Sequence, residues 1–309
     1  EHQSLEAVAR THVLSPLVYE LLSDTNDLID VLALHARHAA ISGEIKQVLF
    51  VFGAALSAHQ GAEVHGVPGV AEFVRLIAKQ LGRDDVGGDG NPAEQYQRAM
   101  AALRDGRSAE EARTLVQQAV LRALKSGRVQ LPDDRPLTPD EIAAIERDNP
   151  DRWHLNSGLL ALGQMLADYP RLFPVVLTSN FDPLIEVAVR VHDGVCQSMD
   201  DPSAVHAGAD AVCVCEIVHF NGWYHTDPLH SLWELTSRPL AAESISRLLA
   251  GKIVVVCAYG GWDDPFGQAL ELLARDDVTT EVHWACFAPR ESIIDATRHI
   301  RPRLDRLLH

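Results

Sequence analysis

The sequence predicts an α/β fold, in which a Rossmann-like parallel sheet carries helices on both faces and contains a helical insertion. Short apolar runs of strand length alternate with amphipathic helical patterns from residue 46 to residue 300. The run Val48–Phe52 is continuously apolar and the run 252–258 nearly so, which is typical of strands that are buried on both faces of a parallel sheet. Strands that alternate with helices in this way are the pattern of α/β domains.

Hydrophobic periodicity assigns the remaining elements in order along the chain. Residues 1–45 are predicted to be an N-terminal helical segment, because leucines recur at helical spacing. A Gly/Asp-rich break at 82–91 opens a predicted helical insertion over 83–152 within the main domain, 46–300. The Arg-rich residues 301–309 are interpreted as a tail that leads into a further domain. Further strands are predicted at 173–177, 194–197, 211–218 and 281–287, and further helices at 68–81, 155–169, 183–192, 239–249, 265–275 and 289–300.

Composition and charge exclude several classes of function. The 309 residues carry a net charge of −16, and no basic cluster is present that would bind the phosphates of a nucleic acid. No apolar stretch approaches the roughly 18 residues of a membrane span, so we expect no membrane association. Five cysteines, an odd number, fit reduced thiols and a cytoplasmic location.

The first candidate binding segment is the small-residue turn after the strand Val48–Phe52. It contains Gly53, Ala54, Ala55 and Ser57. Small residues at the carboxyl end of a first strand let a dinucleotide's phosphates approach the backbone. The alternative is a tight turn that merely requires small residues.

Polar residues also follow the strands predicted at 173–177 and 211–218. Asn180 can hold a carboxamide or a water, because an amide both donates and accepts hydrogen bonds. Asp182 precedes Pro183, so it is also expected to cap the next helix. His219 is a candidate general base, although one polar residue at a strand end is the alternative interpretation.

A third polar turn follows the strand 252–258. Gly260 and Gly261 allow a ligand to approach the backbone, Trp262 could stack on a ring, and Asp263 is a candidate ligand contact. The alternative is a turn followed by a helix that Asp264 caps. Cys213 and Cys215 share a strand face with His219, but paired C-x-x-C spacing is absent, so no metal is predicted.

In their order along the chain, these segments resemble the sirtuin-like superfamily. The turn from Gly53 to Ser57 is similar to the family's Gly-Ala-Gly-x-Ser turn, with Ala55 in place of its second glycine. Residues 178–182 match its Thr-x-Asn-x-Asp strand end, and His219 with Gly222 is similar to its His and Gly. Residues 260–266 look like the Gly-x-x-Asp-x-Pro-Phe segment of the divergent bacterial branch. The four-Cys zinc module of protein deacylases is missing.

The resemblance implies an NAD glycohydrolase that releases nicotinamide and ADP-ribose as the NAD-depleting effector of a bacterial anti-phage defence system (abortive infection). Such effectors act as oligomers, or with a sensor domain or a partner such as an Argonaute. The alternatives are a non-catalytic NAD or nucleotide sensor, which Ala55 favours, and an NAD-dependent protein deacylase. By resemblance the catalytic residues are Asn180, His219 and Asp182, and the residues that bind NAD are Gly53, Ala54, Ala55, Ser57, Thr178, Ser179, Gly222, Gly260, Gly261 and Asp263.

Overall fold

The computed structural model describes residues 17–20, 29–30, 32–34, 47–58, 66–125, 135–147, 150–206, 214–226, 239–275 and 280–285. These residues form one seven-stranded sheet in the order β1-β7-β6-β2-β3-β5-β4. Every pairing in the sheet is parallel, so the predicted α/β fold with a parallel sheet is confirmed. The strands are β1 (Leu17–Glu20), β2 (Val48–Phe52), β3 (Val175–Thr178), β4 (Cys196–Met199), β5 (Cys215–His219), β6 (Ile253–Cys257) and β7 (Thr280–Ala285).

Helices cover both faces of the sheet, as the apolar strands require. Alternate side chains of β2 point to opposite faces, and they enter two separate clusters of buried residues. The helices α1 to α6 contribute to the first cluster, and α7 and α8 contribute to the second. The helices are α1 (Val70–Leu81), α2 (Pro92–Gly106), α3 (Ala109–Leu121), α4 (Pro139–Arg147), α5 (Ser157–Asp168), α6 (Leu184–Val191), α7 (Pro239–Leu249) and α8 (Pro265–Arg275).

The described part of the predicted insertion contains three α-helices, two of which have clear start signals. Asn91 and Ser108 each accept a hydrogen bond from the backbone at the start of α2 and α3, and Ser108 forms a capping box with Glu111. The buried faces of α2 and α3 extend the first cluster of the core. Among the described residues, no helix is both long enough and apolar enough to cross a membrane.

One element differs from the helical prediction for residues 1–45. Leu17–Glu20 is a strand, paired with β7 from Leu17 beside Thr280 to Glu20 beside His283. The leucine spacing favoured a helix, but pairing with the exposed edge of β7 overrides a weak local preference. The predicted helix at 289–300 and the tail at 301–309 lie outside the described residues.

The order of the strands locates the crevice in which α/β sheets bind ligands. From β2 the chain passes to β3 on one side, and it later returns to β6 on the other side of β2. Ligands bind at such a switch point, beyond the carboxyl ends of the strands. Here those ends continue into the turn at Gly53 and the turn at Ala258, which contact each other.

Gly53 is required by this contact between turns. A Cβ atom at residue 53 would stand 2.5 Å from the Ala258 carbonyl oxygen and 2.6 Å from Tyr259 Cα, both backbone atoms that cannot rotate away. Replacing Gly53 with alanine is therefore expected to lower the free energy of unfolding by about 1–3 kcal/mol, measured by urea denaturation. Gly69→Ala is the matched control, because a Cβ there meets no atom within 4 Å. Equal stability of the two variants would contradict the close contact.

Candidate functional site

A cleft of about 210 Å³ lies at the switch point. It is smaller than the roughly 300–1,000 Å³ of pockets for drug-sized ligands, so its described walls have room for only part of such a ligand. Residues that follow β2, β3, β5 and β6 meet there with helices α1 and α2. The cleft is lined by Gly53, Ala54, Ala55, Val67, Pro68, Val70, Phe73, Tyr96, Ser179, Asn180, Phe181, Asp182, Asn221, Ala258, Tyr259, Gly260 and Trp262.

The structure brings most of the candidate segments together, but not every candidate residue reaches the cleft. All three polar turns contribute to the lining, which is the convergence that the sequence predicted. Thr178 and Ser57 lie behind the wall, where each forms a hydrogen bond with Asn180, which lines the cleft. The candidates that line the cleft are Gly53, Ala54, Ala55, Ser179, Asn180, Asp182 and Gly260; those that do not are Ser57, Thr178, His219, Gly222, Gly261 and Asp263.

A chain of three side chains fixes the orientation of the Asn180 amide. The Asp182 carboxylate accepts from the Ser57 hydroxyl at 2.9 Å and from the backbone N–H of Leu184, the first residue of α6, at 3.1 Å. The N-cap position of α6 is Pro183 rather than the predicted Asp182, and no side chain among the described residues forms a cap hydrogen bond at that position. Because the Ser57 proton is committed to Asp182, the Ser57 oxygen accepts from Asn180 Nδ2 at 3.0 Å. Asn180 Oδ1 therefore faces away from Ser57, and it has no partner among the described residues.

Among the described residues that line this cleft, Asp182 is the one that carries a carboxyl group. Burial raises the pKa of Asp182 to about 6, because the hydrogen bonds from Leu184 and Ser57 and the charge of His219 offset only part of the cost of desolvation. This carboxyl group consequently changes charge close to neutral pH. When it is ionised it is an acceptor only, and it then holds the Ser57 proton in the arrangement described.

His219 lies beneath the cleft wall and is fully buried. Its Nδ1–H donates to the Asn180 carbonyl oxygen at 2.7 Å, and Nε2 lies 2.6 Å from Glu186 Oε1. Ser198 also donates to this Glu186 oxygen, at 2.7 Å. Burial opposes charge on both groups, but their mutual attraction raises the pKa of His219 and lowers that of Glu186. The pair is thus an imidazolium–carboxylate pair in which both ring nitrogens donate.

The general-base role that the sequence suggested for His219 stays a prediction. Both ring nitrogens are occupied by hydrogen bonds, and among the described residues no histidine lines the cleft. His219 holds the backbone of Asn180 in place. Sequence reasoning missed Glu186, its partner; the available signal was a single acidic residue within the otherwise apolar first two turns of α6.

Asn221 is a second amide on the cleft wall that the candidate list lacked. Its Nδ2 donates to Asp264 Oδ2 at 2.9 Å, and the Tyr259 hydroxyl donates to the same oxygen at 2.6 Å. Asp264 also accepts from the backbone of Gly267, so it caps α8 as predicted. Asn221 Oδ1 has no partner among the described residues.

One side of the cleft is an aromatic wall, which consists of Phe73, Tyr96, Phe181 and Trp262. Ring centroids lie 5.6 Å apart for Phe73 and Phe181, and 5.5 Å apart for Tyr96 and Trp262. Burial raises the pKa of Tyr96 far above its ordinary value, so its hydroxyl stays neutral. One of these rings, Tyr96, comes from the insertion helix α2, which sequence reasoning did not connect with the site.

The backbone of two turns is held in left-handed conformations. Ala258 has φ of 57° although it is not a glycine, and Gly222 has φ of 103°. Such a conformation costs a non-glycine residue of order 1 kcal/mol and persists where the surroundings enforce it, often at functional sites. Gly222 and Gly261 therefore shape the turns without lining the cleft.

No candidate metal site is found among the described residues, where no group of three or more His, Cys, Asp or Glu side chains is placed to hold an ion. Cys215 is buried, and burial raises the pKa of its thiol, which disfavours the thiolate that a metal needs. Cys213 lies outside the described residues.

Comparison with known proteins gives no family assignment. No family model matches the chain, and no curated protein matches it.

Proposed function

We propose that the protein binds nicotinamide adenine dinucleotide in the switch-point cleft and hydrolyses the bond between nicotinamide and ribose. The observation that carries this proposal is the Asn180 amide on the cleft wall. Its orientation is fixed by Ser57 and Asp182, its oxygen has no partner among the described residues, and it lines the same cleft as the small-residue turn at Gly53. Neutral small residues beside a pre-oriented amide and an aromatic wall suit a nucleotide with a flat ring.

The reaction requires groups that orient the reactants, stabilise positive charge and accept a proton, and the cleft contains groups that meet these requirements. When the bond between the ribose C1′ and the nicotinamide nitrogen breaks, the electron pair leaves with neutral nicotinamide and positive charge develops on the ribose. Water attacks C1′ and loses a proton, which gives ADP-ribose. In the proposal Asn180 orients the ribose or the water, and the ionised Asp182 stabilises the positive charge through space and receives the proton.

A second candidate, binding without turnover, is favoured by one observation. His219 is buried in an ion pair, so the described walls offer a single carboxyl group and no imidazole to assist catalysis. A sensor of NAD or a related nucleotide needs only the cleft, the amides and the aromatic wall. The sequence resemblance supplies the remaining parts of the proposal. These are the role in anti-phage defence, activation by assembly and the identity of any partner.

The pH dependence of turnover is the first prediction of the hydrolase proposal. Because the pKa of Asp182 is raised to about 6, the group is ionised above that pH and protonated below it. Protonation frees Ser57 and loosens the Asn180 amide, so kcat should fall as the pH drops through about 6. A pH–rate profile measures this, and Ser57→Ala, which removes a hydrogen bond that lowers the pKa of Asp182, should move the acid limb to higher pH. An unchanged acid limb in Ser57→Ala would contradict the link.

A substitution that blocks the cleft tests whether any measured release of nicotinamide takes place at this site. Ala55 is exposed on the cleft wall, so Ala55→Trp should fill the cleft without removing a polar group. Ala101→Trp places the same ring on the exposed face of α2 and serves as the control. Wild type and Ala101→Trp should release equal amounts of nicotinamide and ADP-ribose, whereas Ala55→Trp should release neither. Full release by folded Ala55→Trp would place the chemistry elsewhere.

A further inference from the structure

We propose that Asn221 is a second ligand-binding residue, and that it pairs with Asn180 to hold a neutral group that donates two hydrogen bonds. The pair is called the amide pair below. The identity of the ligand rests on the proposed function, whereas the presence of two matched acceptors rests on the geometry alone. Asn180 and Asn221 are each 4% exposed, both line the cleft, and Oδ1 of each has no partner among the described residues.

The register of the sheet brings the two amides to equivalent positions. Thr178 of β3 lies beside His219 of β5, and Phe220 N donates to the Thr178 carbonyl oxygen at 3.1 Å. Asn180 lies two residues after Thr178, and Asn221 lies two residues after His219. Neighbouring strands run about 4.8 Å apart, so both side chains leave the same stretch of sheet edge and serve one ligand group.

Each amide is oriented by an aspartate that also accepts a backbone hydrogen bond at the start of a helix. The Asp182 carboxylate accepts from the N–H of Leu184, the first residue of α6, and fixes Asn180 through Ser57. The Asp264 carboxylate caps α8 and binds Asn221 Nδ2 directly. Because a carboxylate only accepts, the amide nitrogen must face it, and the amide oxygen must face the other way. The two arrangements are alike, although the residues come from separate parts of the chain.

The chemistry of the amide pair selects its ligand. Two acceptors that are buried and unpaired cost free energy until donors reach them. A ligand group with two N–H or O–H donors satisfies them, whereas a carboxylate or phosphate offers only acceptors and is rejected. In a nicotinamide dinucleotide, two groups have this chemistry: the carboxamide and the pair of ribose hydroxyls.

The test measures the affinities of three ligands by calorimetry: NAD, nicotinic acid adenine dinucleotide and ADP-ribose. Asn221→Leu removes the acceptor, and it should weaken NAD binding about tenfold. If the carboxamide is the group held, wild type binds the nicotinic acid analogue at least tenfold more weakly than NAD, and ADP-ribose is insensitive to Asn221→Leu. If the ribose hydroxyls are held, ADP-ribose loses affinity in Asn221→Leu, and NAD and its acid analogue bind alike. Either pattern supports the amide pair.

The variant Tyr259→Phe controls for a structural effect through Asp264, because it removes another side-chain donor to the same carboxylate oxygen. This variant should leave the ranking of the three ligands unchanged. Where Asn221→Leu fails to fold, Asn221→Ser retains a donor for Asp264 and gives the same comparison. Affinities within twofold of wild type in the Asn221 variant overturn the amide pair, and continued release of nicotinamide would then leave the proposed function standing. Failure of folded wild type to bind any of the three ligands overturns both.

Discussion

Replacing Glu186 with alanine is expected to lower the free energy of unfolding by about 3–5 kcal/mol. Glu186 and His219 are both fully buried, and removal of the carboxylate abolishes their ion pair and leaves His219 Nε2 and the Ser198 hydroxyl without the oxygen that they share. The Asn180 carbonyl oxygen then loses a firmly held donor. Urea denaturation measures the change, with circular dichroism to confirm that the variant is folded before titration.

Two matched variants separate the charge of Glu186 from its shape. Glu186→Gln preserves the size of the side chain and should destabilise less than Glu186→Ala, because His219 is then left neutral and hydrogen-bonded. Glu141→Ala removes a carboxylate from an exposed pair with Arg135 and should change stability little. An effect of Glu186→Ala no larger than that of Glu141→Ala would show that the buried pair does not hold the fold.

The same pair predicts how stability depends on pH. The pKa of His219 is raised above 6.5 in the folded state, so its contribution is complete below 6.5 and is lost as the pH rises through the folded pKa. The pKa of Glu186 is lowered below 4.5, so its contribution is present above 4.5 and is lost as the pH falls through the folded pKa. The advantage of wild type over Glu186→Ala should therefore be greatest between 4.5 and 6.5. A difference that does not vary with pH would contradict an ion pair.

Replacing Asn180 with alanine is expected to lower kcat by about 10²–10³-fold, which is the usual cost of losing one pre-oriented polar group in an active site. The amide is held before the ligand arrives, so its effect should appear in kcat more than in KM. The fold should survive, because Ser57, Asp182 and the backbone contact with His219 all remain. Steady-state release of nicotinamide gives both constants.

Asn91→Ala is the matched control for Asn180→Ala. Asn91 also holds its side-chain amide in a hydrogen bond, but that bond caps the exposed start of α2, and Asn91 does not line the cleft. Its loss should cost some stability and leave kcat unchanged. A kcat of Asn180→Ala close to that of Asn91→Ala would remove Asn180 from the catalytic site.

The features that sequence reasoning predicted were those that local chemistry determines. The strand β6 follows from its apolar run, and Asp264 was identified as the cap of α8 because it precedes a proline at the start of that helix. Sequence reasoning also predicted that the three polar turns meet at one edge of the sheet, because the strands are parallel.

The features that it missed depend on contacts between distant residues. His219 has the same appearance in the sequence whether it faces solvent or Glu186, which approaches from α6. Ser57 fixes an amide 123 residues away, and Tyr96 reaches the cleft only through the packing of α2 against the core. The strand Leu17–Glu20 was missed for the same reason, since its partner β7 lies at the other end of the chain.

Release of nicotinamide from NAD by the wild-type protein, followed by chromatography at low and high protein concentration, tests the central proposal most directly. The proposal predicts nicotinamide and ADP-ribose in equal amounts, with release lost in Asn180→Ala and retained in Asn91→Ala. Dependence on protein concentration would identify activation by assembly. Absence of release at every concentration, together with absence of NAD binding by calorimetry, would contradict both the hydrolase and the sensor.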